Sequence, residues 1–311
     1  MEYRNLGRSG LQVSSIGLGT TNFGRRDMRL AESVAVVHEA VDAGINLIDT
    51  ANTYGPAEEY LGEACRGMRD RVIIATKVSS PVGTGPNQQG ASRSHILDQV
   101  HRSLKRLKTD YIDLYQLHRP DPQTPLEETL RALDDLVRDG KVRYIGCSNF
   151  AAWQVVRAIE GSSVLGLERM ISTQSEYNIL SRMPEKELVP ACLEYGVGIM
   201  AYHPLDSGFL TGKYRRGQPS PDQSRLFHVR SIAETLLTGP RFDLIERLEA
   251  FATEHGHNLL ELAIGWLLAR PAVDCALIGT SRRGQMAANV AAAGWSLSKA
   301  EIQAIDELIS G

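Results

Sequence analysis

The sequence of 311 residues predicts an α/β protein in which eight parallel strands close into a barrel surrounded by helices. Short apolar runs that end in polar residues alternate with stretches that have the 3.6-residue period of amphipathic helices. A doubly wound open sheet is the alternative. However, GLGTTNFG after the first run lacks the GxGxxG spacing, and no well-defined helix follows it at once. We therefore expect one (β/α)8 barrel domain over residues 1–311.

The predicted strands are short, mainly apolar, and polar at their carboxyl ends. They are SIGLGT (15–20), NLIDT (46–50), VIIATKV (72–78), DLYQLH (113–118), RYIGCSN (143–149), ISTQSEY (171–177), GIMAYHP (198–204) and CALIGTS (275–281). The segment YRNLGRSGLQVS before them indicates a hairpin that turns at Ser9 and Gly10. We expect this hairpin to plug the bottom of the barrel.

Helix signals lie between the strands. RLAESVAVVHEAVDAG has one apolar face and stops at Gly44, and SRSHILDQVHRSLKRLK has a similar apolar face. In TPLEETLRALDDLVRDG, Thr124 is the predicted N-cap, Pro125 the first helical residue, Glu127 the partner in a capping box and Gly140 the stop signal. SLSKAEIQAIDELI repeats the Ser-x-x-Glu signal near the end of the chain. Residues 205–240 have little periodicity, and we expect a long loop over the top face.

Composition and charge exclude several classes of function. A net charge of −3 without a basic block disfavours nucleic acid as a partner. The amino terminus lacks the apolar core of a secretory signal, and no run of about 18 apolar residues predicts a membrane span. The four cysteines are far apart and form no CxxC, so we expect no disulfide framework and no metal site. We expect a cytoplasmic protein.

The carboxyl ends of barrel strands converge on one face, and the predicted strands place unusual side chains there. Lys77 lies in the apolar run VIIATKV, where a buried ammonium requires a partner. Asp49 ends a neighbouring strand, so we expect an Asp49–Lys77 ion pair. An ammonium near Tyr54 favours loss of the phenolic proton, which suits that tyrosine to acid–base work on a carbonyl or alcohol. His118 can donate a hydrogen bond to the same oxygen.

These four residues resemble the catalytic tetrad of the aldo-keto reductase superfamily. The surrounding motifs GINLIDTANTYG, ATK, LHRPD and IGCSNF are also similar to that superfamily, as are QSEYNIL, YHPLDSGFLTGKY and ALIGTSRRGQ. The resemblance covers nearly the whole chain. It is strongest to the bacterial branch related to potassium-channel β-subunits and aryl-alcohol dehydrogenases.

The resemblance implies a reversible, NADPH-dependent reduction of an aldehyde or ketone, with Tyr54 as the proton donor and NADH as the less favoured cofactor. It implies that Lys77, oriented by Asp49, activates Tyr54, and that His118 orients the carbonyl oxygen. The cofactor-binding residues that it implies are Thr20, Asp49, Ser148, Asn149, Gln174, Tyr202, Pro204, Leu205, Ser207, Gly208, Leu210, Lys213, Gly279, Thr280, Ser281, Arg282, Gln285 and Asn289. Of these, Ser148, Asn149 and Gln174 would hold the nicotinamide amide, and Tyr202 would stack on its ring.

The chain departs from the family pattern near the adenosine end of the cofactor site. Arg282 and Arg283 are candidates for the 2′-phosphate, beside a helix amino terminus that favours anions. Many family members have arginine where this chain has Gln285, and glutamate where it has Ala288. These departures bear on the preference for NADPH over NADH.

The substrate is expected to be a small carbonyl compound of moderate polarity. Its pocket would be formed by loops 21–26, 79–90 and 205–240, with Phe23, Tyr54, Phe209 and Phe227 as aromatic walls. Two other functions remain open. A metal-dependent hydrolase would need converging ligands, whereas His118 and His203 are isolated. A cofactor-binding regulatory protein with vestigial turnover would use the same fold.

Overall fold

Eight parallel strands form a closed barrel in a computed structural model that describes residues 1–25, 28–222 and 224–310. The hairpin strands are β1 (Tyr3–Asn5) and β2 (Gln12–Ser14). The barrel strands are β3 (Ile16–Gly19), β4 (Leu47–Asp49), β5 (Ile73–Val78), β6 (Ile112–Leu117), β7 (Val142–Ser148), β8 (Met170–Glu176), β9 (Gly198–Tyr202) and β10 (Val273–Gly279). Each barrel strand pairs with the next, and β10 pairs with β3 to close the ring. The predicted fold class is confirmed, and each predicted strand overlaps an observed one.

Helices connect the strands and cover the outside of the barrel. They are α1 (Leu30–Asp42), α2 (Ala57–Ala64), α3 (Arg93–Leu107), α4 (Leu126–Arg138), α5 (Ala152–Leu165), α6 (Leu188–Tyr195), α7 (Arg225–His228), α8 (Arg230–Leu236), α9 (Gly239–Glu254), α10 (Leu259–Leu268), α11 (Gln285–Ala292) and α12 (Lys299–Ser310). The main apolar core lies between these helices and the strands, where Trp266 of α10 is fully buried. None of the described helices is long and apolar enough to cross a membrane.

The hairpin closes the bottom of the barrel, as the sequence predicts. Leu6 and Val13 are fully buried and pack with inward-facing strand residues such as Leu47, Leu114 and Met200. The turn is closed by a hydrogen bond from the Leu6 amide to the Leu11 carbonyl, at 2.8 Å. The functional face must therefore be the opposite, carboxyl-terminal end of the strands.

The predicted start of α4 is wrong, whereas its predicted end is confirmed. The N-cap position is occupied by Pro125, and no side chain caps the helix there. Thr124 is drawn away because its hydroxyl donates to the Asp121 carboxylate at 2.7 Å. At the other end, Gly140 has a φ of 71° and donates to Val137, and Lys141 donates to Leu136. This is the glycine stop of a Schellman motif. The second predicted capping signal is confirmed, since Ser298 and Glu301 exchange hydrogen bonds.

The segment 205–240 is more structured than the sequence predicts. It holds a 3₁₀ turn over Asp206–Thr211, the helices α7 and α8, and the first residues of α9. Short helices of this kind show little periodicity because they span too few turns to repeat an apolar position. Gln223 in this segment, and Arg26 in the predicted loop 21–26, lie outside the described residues.

Candidate active site

A buried ion pair lies at the carboxyl ends of β4 and β5. The Lys77 ammonium is 2.5 Å from Asp49 Oδ2 and 2.8 Å from the Thr50 carbonyl oxygen. Lys77 is fully buried and Asp49 is 4% exposed. The expected ion pair is therefore present. It is held in place because the Asp49 main-chain oxygen also accepts from the Thr20 amide and hydroxyl, at 2.9 and 3.0 Å.

The surroundings of Lys77 keep it charged despite its burial. Burial by itself would lower the pKa of Lys77, but attraction to Asp49 and to Tyr54 outweighs burial and raises it. The site thus holds a permanent ammonium inside the mouth of the barrel. Such a group stabilises negative charge on any atom that approaches it.

Tyr54 lies within reach of this ammonium. The Lys77 nitrogen is 5.0 Å from the centre of the Tyr54 ring. Tyr54 belongs to the turn between β4 and α2, where its amide donates to Ala51 and its carbonyl accepts from Ala57. Tyr54 is half-buried, so part of its side chain is accessible to solvent. The aspartate that ends β4 and the tyrosine five residues later are thus held at one point by the same turn.

His118 completes the cluster from the end of β6. Its ring packs edge-on against Tyr54 with 5.8 Å between ring centres. Its amide donates to Val78, and its carbonyl accepts from the Asn149 side chain. Burial, reinforced by repulsion from Lys77 and Arg119, lowers the pKa of His118 to about 3. The imidazole is therefore neutral near pH 7 and can donate one hydrogen bond.

Ser148 and Asn149, two of the three residues predicted to hold the nicotinamide amide, form a network with Tyr202, which was predicted to stack on the ring. The Tyr202 hydroxyl donates to Asn149 Oδ1 at 2.8 Å, and Asn149 Nδ2 lies 3.0 Å from Ser148 Oγ. Asn149 adopts a left-handed φ of 61°, a conformation that asparagine tolerates better than most residues. Gln174 is directed elsewhere, because its Nε2 donates to Asp49 Oδ1 at 2.8 Å.

The segment after β9 has an unusual backbone. His203, Asp206 and Ser207 have positive φ values of 54°, 43° and 59°, and Gly208 follows at 87°. Non-glycine residues adopt this region at a cost of roughly 1–3 kcal/mol, and they cluster in ligand-binding loops. Arg241 of α9 forms an ion pair with the buried Asp206. The predicted residues Pro204 and Leu210 are buried, whereas Leu205, Ser207 and Gly208 are partly exposed.

One cation follows this segment and another lies in the loop after β10, and the two repel each other. Lys213 and Arg282 are exposed, and neither has a carboxylate partner among the described residues. Partial burial and repulsion from Arg282 lower the pKa of Lys213. A Cβ at Gly208 would be 2.6 Å from the Lys213 nitrogen, so the flexible end of that lysine would have to shift, and the φ of 87° itself favours glycine. This pair is suited to a phosphate or pyrophosphate group.

The other predicted residues of the β10–α11 loop bind one another. Gln285 Oε1 accepts from the Thr280 hydroxyl at 2.6 Å and from the Ser281 amide at 2.9 Å. Gly279 is exposed, and Asn289 is buried with its amide 3.8 Å from Met286 Sδ. The side chain of Gln285 therefore shapes this loop from within.

The carboxylate of Glu39 binds both Arg283 and the amino terminus of α11. The Arg283 side chain donates to Glu39 at 2.7 Å, and the Gly284 amide donates to the same carboxylate at 2.9 Å. These two hydrogen bonds lower the pKa of Glu39. Of the two candidate arginines, Arg282 is thus the one left without a carboxylate partner.

Two of the four predicted aromatic walls are part of the core. Phe23 is 1% exposed, and Phe209 is fully buried against Phe242. Tyr54 and Phe227 remain exposed to solvent to some degree. The prediction failed because aromatic residues in loops pack inward whenever the loop folds over an apolar surface.

Sequence reasoning missed one residue of the cluster, Gln116. It is fully buried on β6, and its Nε2 lies 3.3 Å from Asp49 Oδ1. The available signal was the one that identified Lys77, namely a polar residue inside the apolar run DLYQLH. Within the described parts of the chain, no group of three or more His, Cys, Asp or Glu residues is arranged to hold a metal ion.

Comparison with known proteins decides the family. A sequence model of the Aldo/keto reductase family matches residues 15–310. This chain belongs to the aldo/keto reductase family. Membership agrees with the closed eight-stranded barrel, and it confirms the resemblance found in the sequence.

Several relatives match this aldo/keto reductase over most of their length. A probable voltage-gated potassium channel subunit beta of Oryza sativa subsp. japonica is 38% identical over 300 residues, which is 94% of this chain and 91% of the relative. The L-glyceraldehyde 3-phosphate reductase of Escherichia coli (strain K12) is 35% identical, over 100% and 93%. The versiconal hemiacetal acetate reductase of Aspergillus parasiticus is 34% identical, over 99% and 96%. The family and its reductases support an oxidoreductase that reduces small carbonyl compounds with a nicotinamide cofactor.

Proposed function

We propose that this aldo/keto reductase reduces an aldehyde or ketone to an alcohol with NADPH, and that Tyr54 supplies the proton. The single observation that carries the proposal is the permanent ammonium of Lys77 beside Tyr54, held by the buried Asp49 carboxylate. A bound nicotinamide would supply the hydride. The chain's own residues would supply position, charge stabilisation and the proton.

Each member of the cluster has one part in this mechanism. The neutral His118 donates a hydrogen bond to the carbonyl oxygen and thereby orients it near the Tyr54 hydroxyl. Tyr54 then transfers its proton to that oxygen, and the Lys77 ammonium stabilises the phenolate that forms. In the reverse direction the phenolate accepts a proton from the alcohol.

The fit of the cofactor rests on the charge and hydrogen-bonding groups around the mouth of the barrel. Lys213 and Arg282 would bind phosphate groups, because both are exposed cations with no carboxylate partner among the described residues. Asn149 and Ser148 would bind the nicotinamide amide, and Tyr202 would stack on its ring, after small rearrangements of their hydrogen bonds. We also propose that the remaining predicted residues, from Thr20 to Asn289, contact the cofactor. The proposal includes a single domain and a cytoplasmic location.

Replacing Tyr54 by phenylalanine tests the proposal directly. We expect turnover with NADPH to fall at least 100-fold, since proton transfer of this kind contributes about 10²–10⁴-fold. NADPH binding, followed by quenching of protein fluorescence, should stay within about twofold of wild type. The carbonyl panel should include L-glyceraldehyde 3-phosphate, after the name of the Escherichia coli relative.

The outcome of this test separates the proposal from its alternatives. Retained turnover in the Tyr54→Phe variant would contradict the role of Tyr54. Tight NADPH binding by the wild type without turnover on any carbonyl would favour a regulatory protein, a candidate that the potassium-channel relatives support. Activity that is lost on exhaustive chelation would favour a metal enzyme.

A further inference from the structure

Two glutamine side chains contact the carboxylate of the Asp49–Lys77 ion pair. Asp49 Oδ1 accepts from Gln174 Nε2 at 2.8 Å and lies 3.3 Å from Gln116 Nε2. Asp49 Oδ2 is left for Lys77, at 2.5 Å. A carboxylate only accepts hydrogen bonds, so each glutamine must present its nitrogen to it. The two carboxylate oxygens thus have separate partners, with amides on one and the ammonium on the other.

Gln116 lies on β6, between strands β5 and β7. In the barrel it is paired with Lys77 on β5 and with Gly146 on β7. It is fully buried, and its Oε1 has no hydrogen-bond partner among the residues that the structure describes. A buried amide that leaves its oxygen unpaired costs free energy, so an interaction made by its nitrogen should compensate. A Cβ at Gly146 would be in ordinary van der Waals contact with Gln116 Cγ, at 3.5 Å, whereas it would collide with Ser172 Oγ at 2.7 Å.

We propose that Gln116 is a positioning residue that fixes the Asp49 carboxylate, and through it the Lys77 ammonium, beneath Tyr54. Gln116 is fully buried, and we do not assign it a contact with substrate or cofactor. Its effect is instead transmitted by the contact with Asp49 Oδ1. The consequence for reduction rests on the proposed function, whereas the interaction with Asp49 does not depend on it.

The charged and titratable groups that face Gln116 are few. Asp49 and Lys77 face it directly, and Tyr54 and His118 lie above them. Cys275 of β10 is buried, and burial, followed by the charges of Asp274 and then Asp49, raises the pKa of its thiol. The nearest groups on β7 and β8, Gly146, Ser172 and Gln174, carry no charge.

A charge exchange between positions 49 and 116 tests the interaction without any assay of activity. Gln116→Glu places a second carboxyl group against Asp49, and two adjacent buried carboxylates cannot both ionise. We expect its melting temperature to fall below that of the wild type increasingly as the pH rises from 5 to 8. Combining Gln116→Glu with Asp49→Asn restores one carboxylate and one amide beside Lys77. The double variant should recover most of the loss.

Additive losses in the four proteins of this cycle would overturn the proposal, because they would mean that positions 49 and 116 do not interact. Tyr115→Phe is the matched control. Tyr115 precedes Gln116 on β6 and faces the helices, and its buried hydroxyl has no partner within the described parts of the chain. It should leave melting temperature and its pH dependence close to wild type.

Kinetics test the consequence for catalysis. Gln116→Leu should lower kcat about tenfold, the effect of losing one hydrogen bond to a charged group. The Kd for NADPH should stay within about twofold. A kcat equal to that of the wild type would overturn the positioning role. If the wild type itself shows no turnover, the proposed function fails while the charge-exchange cycle still decides the Asp49–Gln116 interaction.

Discussion

At the scale of single residues, burial gives His118 a definite protonation state. Its pKa of about 3 lies far below the unfolded value of about 6.5, so the folded state binds fewer protons between these values. The contribution of the neutral His118 to the free energy of unfolding is therefore fully present above pH 6.5, and it is lost as the pH falls toward 3.

The same reasoning gives a prediction for the variant His118→Gln, which cannot titrate in this range. Between pH 7 and pH 4 the wild type should lose more stability than the variant, with a difference that grows with each step in pH. Urea denaturation at several pH values measures it. Equal pH dependence in the two proteins would show that His118 titrates normally in the folded state.

The two arginines after β10 form a natural matched pair. Arg282 has no carboxylate partner among the described residues, whereas Arg283 is paired with Glu39. We therefore expect Arg282→Ala to weaken NADPH binding about tenfold, while NADH binding, which lacks the 2′-phosphate contact, changes little.

The control for this prediction is Arg283→Ala, which should change the affinity for either nucleotide less than twofold. Fluorescence titrations of both variants with NADPH and NADH give the four values required. Equal weakening by the two substitutions would mean that the loop as a whole, and not Arg282, recognises the phosphate.

Some residues of the site could be predicted from the sequence, and others could not. Lys77 and Asp49 were predictable because a charge inside an apolar strand must be paired. Gln116 carries the same signal in weaker form, since an uncharged amide tolerates burial with fewer partners. The pairing of Arg283 with Glu39 was not predictable, because 244 positions separate the two residues in sequence.

At the scale of elements, local signals succeeded where no other group competed for the same side chain. Ser298 caps α12 as predicted because its hydroxyl meets only Glu301. Thr124 fails to cap α4 because Asp121 takes its hydroxyl and also accepts from the Ala91 amide. That carboxylate belongs to the loop after β6, so the competition arises from the tertiary structure.

One ion pair connects the strained segment after β9 to a regular helix. Asp206 is buried, and burial raises its pKa despite its pairing with Arg241 of α9. Removing Arg241 would leave the carboxylate buried and unpaired. We expect Arg241→Ala to destabilise the protein by roughly 2 kcal/mol, because the arginine is itself partly exposed.

The same variant should weaken NADPH binding several-fold, since the segment carries the candidate pyrophosphate contacts near Gly208 and Lys213. Arg216→Ala is the control: Arg216 contacts Asp243 and Glu246 of the same helix, in ion pairs exposed to solvent. Thermal unfolding and fluorescence titration measure both variants. An equal effect of the two substitutions would show that the Asp206–Arg241 ion pair does not position the binding segment.

At the scale of the whole molecule, the two ends of the barrel differ in the side chains that fill them. Charged and amide side chains fill the interior near the carboxyl ends of the strands, and an apolar cluster that includes Leu47, Ala75 and Leu114 fills the opposite end. The fold class was predictable because eight alternations of strand and helix admit few closed arrangements. The shape of the substrate pocket was not, because it depends on which loop aromatics pack inward.

The hairpin belongs to the apolar end, and this gives the prediction for the molecule as a whole. Leu6 is fully buried among residues from several barrel strands, so Leu6→Ala should leave a cavity and destabilise the protein by about 2–5 kcal/mol. The control Tyr3→Phe removes only an exposed hydroxyl bonded to Gly44, and it should cost less than about 1 kcal/mol.

Neither substitution should alter NADPH affinity or kcat below the temperature of unfolding, because the whole height of the barrel separates the hairpin from Tyr54. Urea denaturation gives the stabilities, and fluorescence titration with turnover gives the function. A loss of NADPH affinity in Leu6→Ala at a temperature where the protein remains folded would show that the apolar end transmits strain to the catalytic end. The two ends of the barrel would then form one mechanical unit, and the positions of Asp49 and Lys77 would depend on the packing of the hairpin.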